Sequence, residues 1–287
     1  MTNTELTKAV DYFANLTHKI TDLQLERRWA WQSYDSEGIR FAFFRTYEEL
    51  RELAAKLRSE RINRAMPFSA AQLILSQYDA AYWDLQAALL GIENGQIDQA
   101  PAEGEWPVRK VLAHIVTAEL GFYVIIRYTL DRQRSGDGRP TEITTEGWAA
   151  TSGMDEVSFG SILAGPFEGL RDYHNTLHQR ILREFADISD AELDFPSEYW
   201  EKELMSVRFR LHRFDSHLRQ HTIQVDKTRV ALEQFPNEVQ RLIRLIYTAF
   251  ADANGAIIGA WKTGENSRLE LAKTIRGRAE EIVSNSV

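Results

Sequence analysis

The stretch from Leu204 to Leu232 constrains the fold more than any other part of the chain. Leu204, Val207, Leu211, Phe214, Leu218, His221, Val225, Thr228 and Leu232 succeed one another in unbroken steps of three and four. That spacing lays all nine on one stripe of a helix, the seam by which antiparallel helices pack. A strand would need alternation of period two. No sustained alternation and no repeated strand-turn-strand signal occurs anywhere in the chain. The fold class is therefore all-α.

Glycine and proline divide the rest into further helices. The spacing predicts helices over 4–33 and 39–64, separated by a turn at 34–38. Ser69 and Gln72, after Met66-Pro67, form a capping box for a helix ending near Gly91. Pro107 suits a helix's first turn, where its missing N–H costs nothing, and that helix runs to about Arg134. A glycine-containing loop, 135–153, is expected next, with a short turn at Ser158 before a helix over 166–188. The seam helix covers 203–233. Two more helices, 236–261 and one opening at Gly264, complete the chain. Residues 66–235 thus supply a four-helix bundle. The helices of 1–65 and 236–287 are accessory, packing on that bundle as a second, smaller bundle or by wrapping it. The pattern favours the second bundle.

Three histidines carry the chemistry. His217 and His221 are four residues apart on the seam helix, so they share a face about 6 Å apart along its axis. His114 lies on the apolar arc of Val111, Ile115, Ala118, Phe122 and Ile125 on another helix. All three point to one interior. A lone histidine on an apolar face is usually a hydrogen-bonded core residue. Three together would each cost about 1–3 kcal/mol if buried without partners. A divalent metal would resolve that cost, and three nitrogens with room for a further ligand is the layout of a catalytic site. Both readings stand at this level. His174 and His178 are a rival pair at the same spacing. They read as a second ligand pair, a support for the first, or ordinary edge residues. His18 and His212 read as solvated.

Glu119 lies five residues after His114, about 140° round the helix, so the two do not share a metal easily. Its place on an apolar stripe calls for a partner. An arginine of the seam helix, Arg210 or Arg213, is expected in that role. A general base is the weaker alternative, and no residue stands out as catalytic. Trp83, Tyr123, Trp148, Tyr199 and Trp200 read as core, with a pocket lining as the lesser alternative. The chain has no phosphate-binding glycine loop and no suggestive Ser-His-Asp order.

Charge and composition exclude several classes. A net charge of −8 argues against a nucleic-acid surface, which needs a basic footprint. No run reaches the ~18 apolar residues of a membrane span. The first residues lack the basic and apolar blocks of a signal peptide, so a cytoplasmic location is expected. The absence of cysteine removes thiolate ligands and a cysteine nucleophile.

Two strings resemble a known family. Trp106-Pro107-Val108-Arg109-Lys110-Val111-Leu112-Ala113-His114, followed by Glu119, is similar to the second-helix signature of the DinB/YfiT-like superfamily. Arg210-Leu211-His212-Arg213-Phe214-Asp215-Ser216-His217-Leu218-Arg219-Gln220-His221 is similar to its fourth-helix signature. The resemblance spans about 66–235. It implies a four-helix bundle, often a homodimer, with a divalent metal held by three histidines. By position these are His114, His217 and His221. Zinc and nickel are the usual occupants. Characterised relatives include enzymes that use low-molecular-weight thiols. The expected function is hydrolysis or thiol transfer on a small-molecule substrate through metal-activated water or thiolate. The alternative is a non-catalytic bundle that binds a metal or small ligand. The accessory helices depart from the minimal fold.

Overall fold

The seam segment forms a helix, as its spacing requires. The computed structural model describes residues 5–92, 95–140, 142–199 and 203–286. Ten helices occur among the described residues: α1 (Glu5–Thr17), α2 (Ile39–Asn63), α3 (Ala70–Leu89), α4 (Val108–Arg134), α5 (Thr145–Ser152), α6 (Glu156–Ala164), α7 (Phe167–Phe185), α8 (Val207–Ala231), α9 (Glu238–Gly255) and α10 (Glu265–Ser286). One two-residue antiparallel pair, Pro196–Ser197 with Met205–Ser206, precedes α8. Val207, Leu211, Phe214, Leu218 and Val225 of the seam are wholly buried. Leu204 is not part of it. Ser206 caps α8 by accepting from the Phe209 N–H, which starts the helix at Val207 and leaves Leu204 exposed.

Helices α3, α4, α7 and α8 form the central bundle, with α3 and α4 each packed on both α7 and α8. The outer helices pack on one another: α1 on α9 and α10, and α2 on α9 and α10. Helix α9 also lies along α3 and joins the two groups. Trp83 of α3 stacks on Tyr247 of α9 at 5.3 Å and meets Phe250 edge-on at 4.8 Å. Arg244 of α9 bonds Asp84 of α3 and Asp226 of α8. One apolar core runs through both groups. Helix α4 is long and apolar enough to cross a membrane by length and composition, but most of its apolar window is buried by the bundle. It is the central core helix.

The helix expected over 236–261 ends at Gly255, and three other differences from expectation have a local reason. The first helix ends at Thr17 instead of running to residue 33. Beyond it the Thr21 backbone and hydroxyl both donate to the Gln24 side chain, and a short 3-10 turn over Gln24–Glu26 follows. Such side-chain bonds offer the backbone an alternative to the helix ladder. Gly38, at φ +60°, then allows the chain to pass close to the Arg27 carbonyl before α2 begins. The expected loop at 135–153 contains α5, and the expected turn at Ser158 is inside α6. Both helices bury almost nothing, so no apolar stripe announces them. Their ends are set by Thr144 and Asp155, which accept from the N–H groups of Gly147 and Ser158. The capping box at Ser69 forms by half. Ser69 accepts from the Gln72 N–H, while the Gln72 side chain donates to the Ala186 carbonyl and accepts from buried Arg61.

Candidate metal centre

His114 of α4 and His217 and His221 of α8 meet on the α4–α8 contact. Their ligating nitrogens all lie within 4.8 Å of one another. The His217 Nε2 is 3.2 Å from the His114 Nε2 and 3.1 Å from the His221 Nε2. His217 and His221 are buried and His114 is half-buried, so the cluster reaches the surface on its α4 side.

Hydrogen bonding among the rings does not account for this arrangement. A neutral imidazole nitrogen carries either one proton or one lone pair. The His217 Nε2 therefore serves one of its two imidazole neighbours and not both. Three imidazole nitrogens this close fit a shared cation better. Nitrogens bound tetrahedrally at 2.0–2.1 Å would stand about 3.3 Å apart, close to the two short separations. One tautomer is fixed, that of His221, whereas the buried His217 Nδ1 has no hydrogen-bond partner among the described residues. The His221 Nδ1 lies 2.8 Å from the Gln224 amide oxygen, an acceptor, so Nδ1 carries the proton and Nε2 the lone pair. Electrostatics favour the neutral ring that a ligand must be. Burial, then His221, His114 and Arg213, push His217 down to about 3. Burial and His221 lower His114. The collar is aromatic: Trp106 lies 5.3 Å from the His114 ring and Phe122 5.8 Å from that of His217.

The rival pair has different work. His174 and His178 of α7 are wholly buried, and each meets one carboxylate of the central core. His174 Nε2 lies 3.1 Å from Glu119 Oε2, which also accepts from Tyr78 at 2.8 Å. His178 Nε2 lies 2.9 Å from Asp79 Oδ1. Asp79 accepts further bonds from Trp83 at 3.2 Å and from Asn254 of α9 at 2.8 Å. Burial lowers His178 despite the Asp79 carboxylate, so His178 acts as a neutral donor there. Tyr82 stacks on its ring at 3.8 Å. These histidines are thus neither edge residues nor members of the three-nitrogen cluster. Glu119 finds its partners on α3 and α7, where the sequence had pointed to Arg210 and Arg213. Glu119 is wholly buried in the core, where Tyr78 and His174 reach it. Arg210 bonds Ser197 and lies over the Tyr199 ring. Arg213 bonds Ser216 and lies over Phe122.

Among the aromatic candidates, Trp83 and Tyr123 are core. Trp148 and Tyr199 stack at 6.5 Å beside Gly121, and Trp148 lines a cavity of about 400 Å³ with Leu120, Ile143, Met154 and Phe159. Trp200 lies outside the described residues. His212 is exposed, and half-buried His18 bonds the Asn15 carbonyl. Sequence reasoning missed Gln224, although a glutamine one turn after a ligand histidine was a usable signal. It also missed Asp79, which nothing local connects to His178.

A family model described as the DinB superfamily matches residues 77–225, just over half of the 287 residues and the span that holds all three histidines. Neither curated proteins nor solved structures give a match.

Proposed function

The chain belongs to the DinB superfamily, and on that premise we propose that it is a divalent-metal-dependent enzyme acting on a small molecule. The carrying observation is the convergence of three imidazole nitrogens, the central His217 Nε2 lying within 3.2 Å of both of the others. Membership supports the reading, since the superfamily is often metal-binding. His114, His217 and His221 would hold the ion, zinc or nickel as the family resemblance implies. When bound, such an ion lowers the pKa of a water or thiol beside it and so supplies a nucleophile near neutral pH. The reaction class is then hydrolysis or thiol transfer with a low-molecular-weight thiol.

The chain's own part is positional. Gln224 keeps the His221 lone pair inward. Trp106 and Phe122 limit water on either side of the histidines. Glu119, the nearest buried acid on α4, is engaged by Tyr78 and His174 and is no general base for this site. That engagement also favours the second reading, a bundle that binds a metal or small ligand without turnover.

The test is elemental analysis of the full chain, purified without a histidine tag near pH 7.5. Stoichiometric zinc or nickel is expected, lost in His114→Ala, His217→Ala and His221→Ala and kept in His174→Ala. Full metal content in His217→Ala and His221→Ala would overturn the assignment. Turnover of thiols or esters by the loaded protein then separates enzyme from binder.

A further inference from the structure

The charge balance around the three histidines is unusual for an acidic protein. The chain carries 42 acidic and 34 basic side chains, yet among the described residues no carboxylate belongs to the three-nitrogen cluster. A donor set of neutral imidazoles leaves the charge of a divalent ion uncompensated. One further cation adds to it. Arg213 lies one turn before His217 on α8 and is half-buried. Its guanidinium is 5.9 Å from the Phe122 ring, which in turn is 5.8 Å from the His217 ring. Four residues before His217 on one helix, it shares that histidine's face.

Arg213 has no acidic partner among the described residues. Its hydrogen bond goes to the Ser216 hydroxyl, at 3.3 Å. Two other arginines of the same helix are paired with carboxylates. Arg208 pairs with Asp194, and Arg219 pairs with Asp215 at 2.7 Å. Asp215 is only two residues from Arg213, but it bonds the arginine one turn later. Glu119 is engaged by Tyr78 and His174. A guanidinium beside a cationic site, without a carboxylate, sets like charges next to one another, and an anion between them relieves that repulsion.

We propose that the histidine site takes a small organic carboxylate, with the carboxylate on the Arg213 guanidinium and an apolar portion against Phe122. This rests on the metal-binding reading and names the substrate class for it. The planar guanidinium fork matches a carboxylate with two parallel bonds, and an aromatic wall suits the ring or chain that follows. A neutral molecule of the same shape leaves both the ion and Arg213 uncompensated, so the site discriminates by charge.

The experiment compares benzoate with benzamide on the full chain loaded with cobalt, read by the visible cobalt spectrum and by calorimetry. Wild type is expected to bind benzoate at least about tenfold more tightly than benzamide. Arg213→Gln should weaken benzoate by roughly ten- to a hundredfold and leave benzamide and cobalt content unchanged. Arg213→Lys should fall between them, since it keeps the charge and loses the fork. Arg219→Gln, which removes a paired cation nearby, should bind benzoate as wild type does. Equal binding of the two probes by wild type overturns the proposal. So does undiminished benzoate binding by Arg213→Gln, or loss of cobalt from both Arg213 variants, which would make the arginine structural. Failure of wild type to bind cobalt overturns the metal reading and this one together. Cobalt bound without charge preference overturns this one alone.

Discussion

Removing the Asp79 carboxylate is expected to destabilise the chain by about 3–5 kcal/mol. Asp79 is wholly buried on α3 and accepts from His178 at 2.9 Å, Trp83 at 3.2 Å and Asn254 at 2.8 Å. Asp79→Ala deprives all three donors of their acceptor in a core that holds no substitute. An orphaned buried donor costs about 1–3 kcal/mol, so three give roughly 3–9 kcal/mol. The buried carboxylate's own desolvation penalty disappears with it, which pulls the total towards the lower end. The outcome is about one fifth or more of the roughly 5–15 kcal/mol that typically holds a domain together. Asp79→Asn should cost less, about 1–2 kcal/mol. Its carbonyl oxygen still accepts from His178 and Trp83, and the Asn254 amide can turn its oxygen towards the new N–H. Urea unfolding read by circular dichroism and by tryptophan fluorescence measures both variants. Because Asn254 belongs to α9, pairing Asp79→Ala with Asn254→Ala should give a non-additive result. An Asp79→Ala cost below about 1 kcal/mol would refute the reasoning, because it would mean that the three donors find other acceptors. Equal costs for alanine and asparagine would refute it too.

Two further outcomes follow from single side chains. Burial, against the Tyr247 hydrogen bond and the Arg171 charge, raises Asp11 from 3.8 to about 6. A carboxyl raised on folding contributes its stability below its unfolded pKa and loses it as pH rises through the folded one, so Asp11 weakens the fold between about pH 4 and pH 6. Asp11→Asn should therefore gain on wild type across that window, by up to about 3 kcal/mol at neutral pH, in unfolding curves taken at several pH values; a pH-independent difference would contradict it. Gln224→Leu removes the acceptor that holds the His221 tautomer. Metal affinity, measured by chelator competition, should fall roughly ten- to a hundredfold with little change in unfolding midpoint, and unchanged affinity would deny Gln224 that role.

The sequence by itself determined the helical class, the central bundle and the three histidines. These are products of local geometry. Steps of three and four force Val207, Leu211, Phe214 and Leu218 onto one buried stripe, and a spacing of four puts His217 and His221 on one face. The match to His114 needed only that both apolar arcs face one interior. Tertiary structure decided which buried polar groups meet. Glu119 joins Tyr78 and His174, and Asp79 joins His178 and Asn254, across 55 and 175 residues of chain for His174 and Asn254. Whether an acid at the edge of an apolar stripe meets arginine on one neighbour or histidine on another depends on a rotation of the helix that periodicity leaves free. The same holds for α5 and α6, whose ends are set by capping side chains and whose faces bury almost nothing. Hydrophobic pattern is written along the chain, whereas the partner of a buried charge is selected only once the helices have packed.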